Sequence, residues 1–381
     1  MKRSRIWLSL AASATLVLAA CSAPGTTSSP DESAAASDGG SGDGGGEAAS
    51  VQLQLQWAPQ AQFAGYFAAV EQGYYADENL EVEILDGGPD VIPQQVGSAP
   101  DGPEFTISWV PKVLEAREAG SDLVNIAQIF QRSGTLSVAW SDSGITSPAD
   151  FADKRVGVWD FGNEFEVTAA ARAEGLEEGT DYEKVIQPFD MLLLLSREID
   201  VAEAMIYNEY AQVLEAENPD TGELYEPDDL SVIDYNDVGT AMLQDALFAR
   251  ASWLAEDGNE DIATRFLRAS FRGWIYCREN PDDCVQYTTD AGSTLGAGHQ
   301  AWMMNEINPL IWPSPAGIGI LDEALWQQTV DISIDAGIIS EAPPDSAYRT
   351  DLAEAAHEGI DGDINGSDFQ KGSVEVTPGG E

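Results

Sequence analysis

Residues 51–57 read Val51-Gln52-Leu53-Gln54-Leu55-Gln56-Trp57. Apolar and polar side chains alternate without a break, which is the period-two pattern of a strand with one buried face. Pro59 ends it, since proline cannot donate to a ladder. Phe63 to Gln72 carries apolar and aromatic residues suited to a helix, and Gly73 follows as its C-cap. Leu80-Glu81-Val82-Glu83-Ile84 then reads as a second strand. Strand, helix and strand in so short a span predict a βαβ unit and a parallel sheet.

The same rhythm continues toward the C-terminus. Phe105 to Trp109 is a strand, Lys112 to Ala119 a helix, and Leu123 to Phe130 another strand. A second α/β set follows. It has strands at Leu136 to Trp140, Arg155 to Trp159, Ala202 to Tyr207 and Leu230 to Asp234, and helices at Phe165 to Glu174 and Tyr210 to Glu217. From Ala251 the texture becomes helical: Ile262, Phe266, Ala269, Gly273, Trp274 and Cys277 fall at helical spacing within Asn259 to Arg278. Ala324 to Gly337 is a further amphipathic helix. No repeat at a solenoid period is present. The fold class is α/β, with two α/β lobes and a helical section that must pack on one of them.

Working back toward the N-terminus, Lys2, Arg3 and Arg5 precede an apolar run from Ile6 to Ala20. The run is too short for a lasting membrane helix and reads as a secretion signal. It ends in Leu18-Ala19-Ala20-Cys21, which resembles a bacterial lipobox; that resemblance implies that Cys21 becomes the lipidated N-terminus of the mature chain. Residues 22–50 are dominated by small and polar types and predict a disordered tether. Folded sequence is expected from Val51, and residues 366–381 are expected to be a flexible tail.

The charge narrows the function. With 381 residues, 18 Lys+Arg against 66 Asp+Glu and a net charge of −48, the chain lacks the clustered cations that phosphate backbones require. Nucleic-acid binding is excluded on that ground, and adsorption to anionic lipid is disfavoured, leaving the lipid anchor as the membrane contact. Acidic residues spread along the whole chain would suit high salt, where screening relieves self-repulsion. Two histidines, His299 and His357, leave little scope for a multi-histidine metal site or for histidine catalysis. No metal site, no cofactor and no catalytic residue is assigned. Cys277 and Cys284 are either a local disulfide, favoured by an oxidising exterior, or two free buried thiols.

In open parallel sheets the ligand lies beyond the carboxyl ends of the strands. An aromatic leaves the strand at each of four such ends: Trp57, Trp109, Trp159 and Tyr207. Gln62 and Tyr66 follow the first, Asn163 and Glu164 the third, and Asn208 and Glu209 the last. Rigid aromatic faces with amide and carboxylate groups between them suit a flat ligand. Each tryptophan could equally be a core plug, and Gly162-Asn163-Glu164 could be a plain helix-entry turn. The loops read as cleft-forming contain neither Lys nor Arg, which argues against an oxyanion ligand.

Gln56-Trp57-Ala58-Pro59-Gln60-Ala61-Gln62-Phe63-Ala64-Gly65-Tyr66-Phe67 resembles the opening of the NMT1/THI5-like substrate-binding proteins of ABC importers. Glu71-Gln72-Gly73-Tyr74-Tyr75, Lys154 to Trp159 with Gly162 to Glu166, and Ala204 to Glu209 extend the resemblance to roughly residues 51–340. It implies a two-lobed periplasmic-binding-protein fold of type II, with two parallel-type sheets joined by a two-crossover hinge. Lobe one would be 51–138 and 239–365 and lobe two 139–238, with hinges near Val138 and Gly239. It further implies a monomer outside the membrane that delivers a small molecule to a permease with a cytoplasmic ATPase. By the same analogy the pocket is Trp57, Tyr66, Trp109, Trp159, Asn163, Tyr207 and Glu209, holding a thiamine-type pyrimidine or riboflavin. Nitrate or sulfonate is the alternative cargo. The pyrimidine-synthesising enzymes of the family are the other alternative, although their cysteine-rich signature is absent here.

Overall fold

The structure is a computed structural model that describes residues 47–381. The secretion signal, the lipidated Cys21 and most of the tether lie outside the described residues. The first strand starts at Ala49, slightly before the expected Val51.

Ten strands form two sheets of five. β1 (Ala49–Gln54), β2 (Leu80–Leu85), β3 (Phe105–Ser108), β4 (Leu123–Gln128) and β10 (Ala246–Arg250) make one, ordered β2-β1-β3-β10-β4. β5 (Thr135–Trp140), β6 (Arg155–Val158), β7 (Glu183–Ile186), β8 (Val201–Met205) and β9 (Leu230–Asp234) make the other, ordered β7-β6-β8-β5-β9. The first three strands of each order are parallel, but β10 and β5 run antiparallel to both their neighbours. The sheets are therefore mixed rather than wholly parallel. Each antiparallel strand is the first one entered after the chain changes sheet, with no intervening crossover helix long enough to restore the direction.

The chain changes sheet at 129–134 and again at 235–245. Val138 is a buried residue in the middle of β5, so the first crossing precedes the expected position. Glu166, on the helix Phe165–Ala173, joins the two crossings. Its carboxylate accepts from Ser133 Oγ (2.9 Å) on one, and from the Met242 N–H and Gln244 Nε2 (3.1 Å) on the other.

β1 differs from its expected half-buried state. Gln54, which should have faced solvent, is buried beside Leu53, because helices cover both faces of the sheet, and Gln56, past the strand end, is buried in the cleft lining. Gln54 Nε2 donates to the carbonyls of Leu55 (2.9 Å) and Asp86 (3.0 Å), so its polar end is satisfied away from water. Behind the sheet, helix Ala64–Glu71 crosses helix Asn259–Glu279 at two glycines. A Cβ on Gly273 would fall 1.9 Å from the Gly65 carbonyl oxygen, so the backbones touch directly. Cys277 and Cys284 are joined as a disulfide.

Residues 366–381 do not behave as a loose tail. Lys371 Nζ donates to Glu306 Oε2 (2.6 Å), the Gly379 N–H donates to the Glu215 carbonyl (3.0 Å), and Gly380 is buried against His299. No helix among the described residues is long and apolar enough to cross a membrane.

Candidate functional site

Between the two sheets lies a cleft. Its lining comes from six loops, one at the carboxyl end of each of β1, β2, β3, β6, β7 and β8. Parallel strands put all these ends on one side of each sheet, and the two crossings turn the sides toward each other.

The aromatic faces come first. Trp57, Trp109, Trp159 and Tyr207 all line the cleft, joined by Phe161 and Phe189. Trp57 meets Phe189 across the cleft with ring centroids 4.4 Å apart, and Phe189 stacks on Trp159 at 6.0 Å and 17°. Three rings, one from the first lobe and two from the second, thus form a continuous aromatic lip. Phe161 is 65% exposed and holds φ +66°, a strained conformation for a bulky side chain.

Beneath Trp109 lies a buried carboxylate. Asp245 accepts from Gln56 Nε2 (2.6 Å) and Trp109 Nε1 (2.8 Å) on one oxygen and from Gln62 Nε2 (2.9 Å) on the other. Burial pushes its pKa up to about 7, against the pull of the Gln62 and Trp109 hydrogen bonds. Gln60 Nε2 in turn donates to Gln62 Oε1 (2.6 Å). Gln56 Oε1 and Gln94 Oε1, on two residues of the lining, have no protein donor.

On the facing wall, Glu209 accepts from the Met205 N–H (3.0 Å) and from Asn208 Nδ2 (2.9 Å). Burial raises its carboxyl to about 7. Asn208 Oδ1 receives Gln212 Nε2 (3.1 Å) and faces His299 Nε2 (3.0 Å), while His299 Nδ1 pairs with Glu215 (2.9 Å).

Two sequence expectations fail here. Tyr66 is not in the cleft: it is 2% exposed and packs edge-on against Trp274 at 5.6 Å, on the side where helix Ala64–Glu71 meets helix Asn259–Glu279. Glu164 turns back to accept from the Gly162 N–H (2.9 Å) and does not join the lining, although burial raises its pKa. Asn163 does reach the cleft, but both ends of its amide are engaged. Its Nδ2 donates to the Asp160 carbonyl (2.6 Å) and its Oδ1 accepts from Lys112 Nζ (2.6 Å).

Lys112 overturns the expectation of a cleft without a cation. It lines the pocket from the first turn of helix Val110–Glu118, is 7% exposed, and holds its ammonium 4.2 Å above the Trp109 ring. Desolvation lowers its pKa to about 8, opposed by Asp245, Glu203 and Glu164. Sequence reading also missed Phe189, Met205 and the 88–94 loop. The position of Lys112, three residues past a strand-end tryptophan, was the signal available. Among the described residues, no group of three or more His, Cys, Asp or Glu side chains is arranged to hold a metal.

Two mixed α/β lobes with an aromatic cleft at their strand ends define a two-lobed solute-binding architecture. Comparison with known proteins then fixes the family. A model described as "NMT1/THI5 like" matches residues 60–284, more than half of the chain, and the chain belongs to that family. It is similar to the riboflavin-binding protein RibY of Chloroflexus aurantiacus, with 27% identity over 87% of this chain and 92% of that one. It is also similar to a formylaminopyrimidine-binding protein of Halalkalibacterium halodurans, with 25% identity over 62% of this chain and 68% of that one. Among solved structures, a ligand-binding component of an ABC-type import system from Staphylococcus aureus superposes with a TM-score of 0.57. That match covers 82% of this chain and 100% of the other at 10% identity, a likeness of fold alone.

Proposed function

We propose that this chain is the extracytoplasmic solute-binding component of an ABC importer, and that its cleft captures a flat heteroaromatic molecule of flavin or aminopyrimidine type. The observation that carries this reading is the cleft built from six strand ends, walled by four strand-end aromatics and by Phe161 and Phe189. Lobe one would hold β1–β4 and β10 and lobe two β5–β9, closing about the crossings at 129–134 and 235–245. Trp57, Trp109, Trp159 and Tyr207 would sandwich the ring, with Gln62, Asn163, Asn208 and Glu209 supporting or reading its edge. A lipidated Cys21 would hold a monomer to the outer face of the membrane, where a permease with a cytoplasmic ATPase receives the cargo. The acidic surface would suit salt-rich surroundings.

The reading as a carrier rather than an enzyme is supported by the named relatives, both binding proteins. It is also supported by the lining, which pairs no nucleophile with a base. The cationic Lys112 gives some weight to an oxygen-rich ligand, but the aromatic walls favour a ring over nitrate. Native mass spectrometry of the folded protein with formylaminopyrimidine, hydroxymethylpyrimidine, riboflavin, taurine and nitrate tests this. A stoichiometric adduct with a ring compound is expected; adducts with taurine or nitrate alone would sink the sandwich.

A further inference from the structure

The lysine that the sequence hid inside a helix is built into the cleft. Gly162 adopts φ +87°, and a Cβ there would stand 2.9 Å from Lys112 Cγ, so the loop after β6 leaves room for the lysine stem to pass beneath it. The ammonium carries three N–H donors. One goes to Asn163 Oδ1 (2.6 Å), and the others have no acceptor among the described residues. Trp109 lies below it and the Asp245, Glu203 and Glu164 carboxyls surround it at longer range. A desolvated ammonium with spare donors inside an aromatic cleft is costly unless a ligand oxygen completes it.

From this we infer that Lys112 is a specificity-determining residue that donates to a carbonyl or enolate-type oxygen on the edge of the bound ring, so that the site prefers oxo-substituted heteroaromatics to simple aminopyrimidines. The inference rests on the ring-binding reading above. Trp109 positions one face of the ring, and Lys112, anchored over that same indole, marks where an in-plane oxygen would lie.

Titrations of the native protein and Lys112→Met with riboflavin, which bears two ring carbonyls, and with hydroxymethylpyrimidine, which bears none, separate the outcomes. Loss of a charged hydrogen bond predicts about a tenfold or greater weakening for riboflavin and less than about threefold for the pyrimidine. Equal weakening of both, or riboflavin affinity unchanged within about threefold, overturns the assignment and leaves ring binding intact. If the native protein binds neither ring, the functional reading falls, and this one with it. A second measurement needs no variant: native riboflavin affinity should fall as the pH rises through about 8, where the ammonium loses its proton. A flat profile over that range overturns the inference.

Discussion

His299 and Asn208 stand 91 residues apart in the chain, yet His299 Nε2 lies 3.0 Å from Asn208 Oδ1, tying helix Ala297–Ile311 to the cleft. The opposite ring nitrogen faces both oxygens of Glu215. Asn208 passes the constraint on, since its Nδ2 holds one oxygen of Glu209. One imidazole therefore sets the orientation of two cleft residues and clasps the two lobes together on that side.

His299→Leu should leave the buried Glu215 carboxyl without its imidazole partner, and an unpartnered buried polar group costs about 1–3 kcal/mol. Urea denaturation should show that loss. The double variant His299→Leu/Glu215→Leu should recover part of it, because the unpartnered carboxyl goes as well. An additive cycle would show that the pair is not coupled.

Gly273→Ala places a methyl 1.9 Å from the Gly65 carbonyl, a contact that only backbone movement can relieve. Overpacking of this kind costs about 1–3 kcal/mol. A lowered melting temperature with unchanged secondary structure by circular dichroism is the expected result, and an unchanged melting temperature would show that the helices can separate freely.

Three buried carboxyls, Glu166, Glu209 and Asp245, are each raised to about 7, chiefly by desolvation. Between their ordinary values near 4 and about 7, the folded state binds more protons than the unfolded state, so stability falls as pH rises through that window. Lys112 is protonated in both states below about 8 and does not offset the trend. Melting temperature at fixed ionic strength should drop from pH 5 to pH 8, and Glu166→Gln should flatten part of the slope. Parallel slopes for variant and native protein would assign the trend to general surface repulsion instead.

The Cys277–Cys284 bridge closes a loop over a separation of only seven residues. Loop-closure entropy for so small a ring is worth about 2 kcal/mol. Cys277→Ala/Cys284→Ala should therefore lower stability modestly and leave ligand binding unchanged. A loss of more than about 5 kcal/mol would show that the bridge organises the helix junction itself.

The parts of this fold legible in sequence are those where one physical signal dominates. Alternation along Val51–Trp57 and the Gly73 cap located the opening strand and helix, and the four strand-end aromatics pointed to the cleft because strand ends converge in parallel sheets. What escaped had a weaker or contrary local signal. β7 is an edge strand bearing Glu183 and Lys184 at its start, and β10 is four apolar residues in a row before Arg250, without alternation. Tyr66 sits beside the cleft-forming segment, but the Gly65–Gly273 approach draws Trp274 against it, a contact between segments far apart in sequence. Lys112 has the pattern of an ordinary helical lysine, and its place three residues past the strand-end Trp109 was too weak a signal to set it apart until the first turn of its helix was seen in the cleft lining. Asp245 drew no notice because a lone acid in an acidic chain carries no signal until three donors converge on it.

The grip of Glu166 on Ser133, Met242 and Gln244 has a mechanical meaning. Two independent connecting strands would let the halves of the molecule bend and shear along separate coordinates. Because one carboxyl accepts from both, displacing either connection strains hydrogen bonds that the other shares.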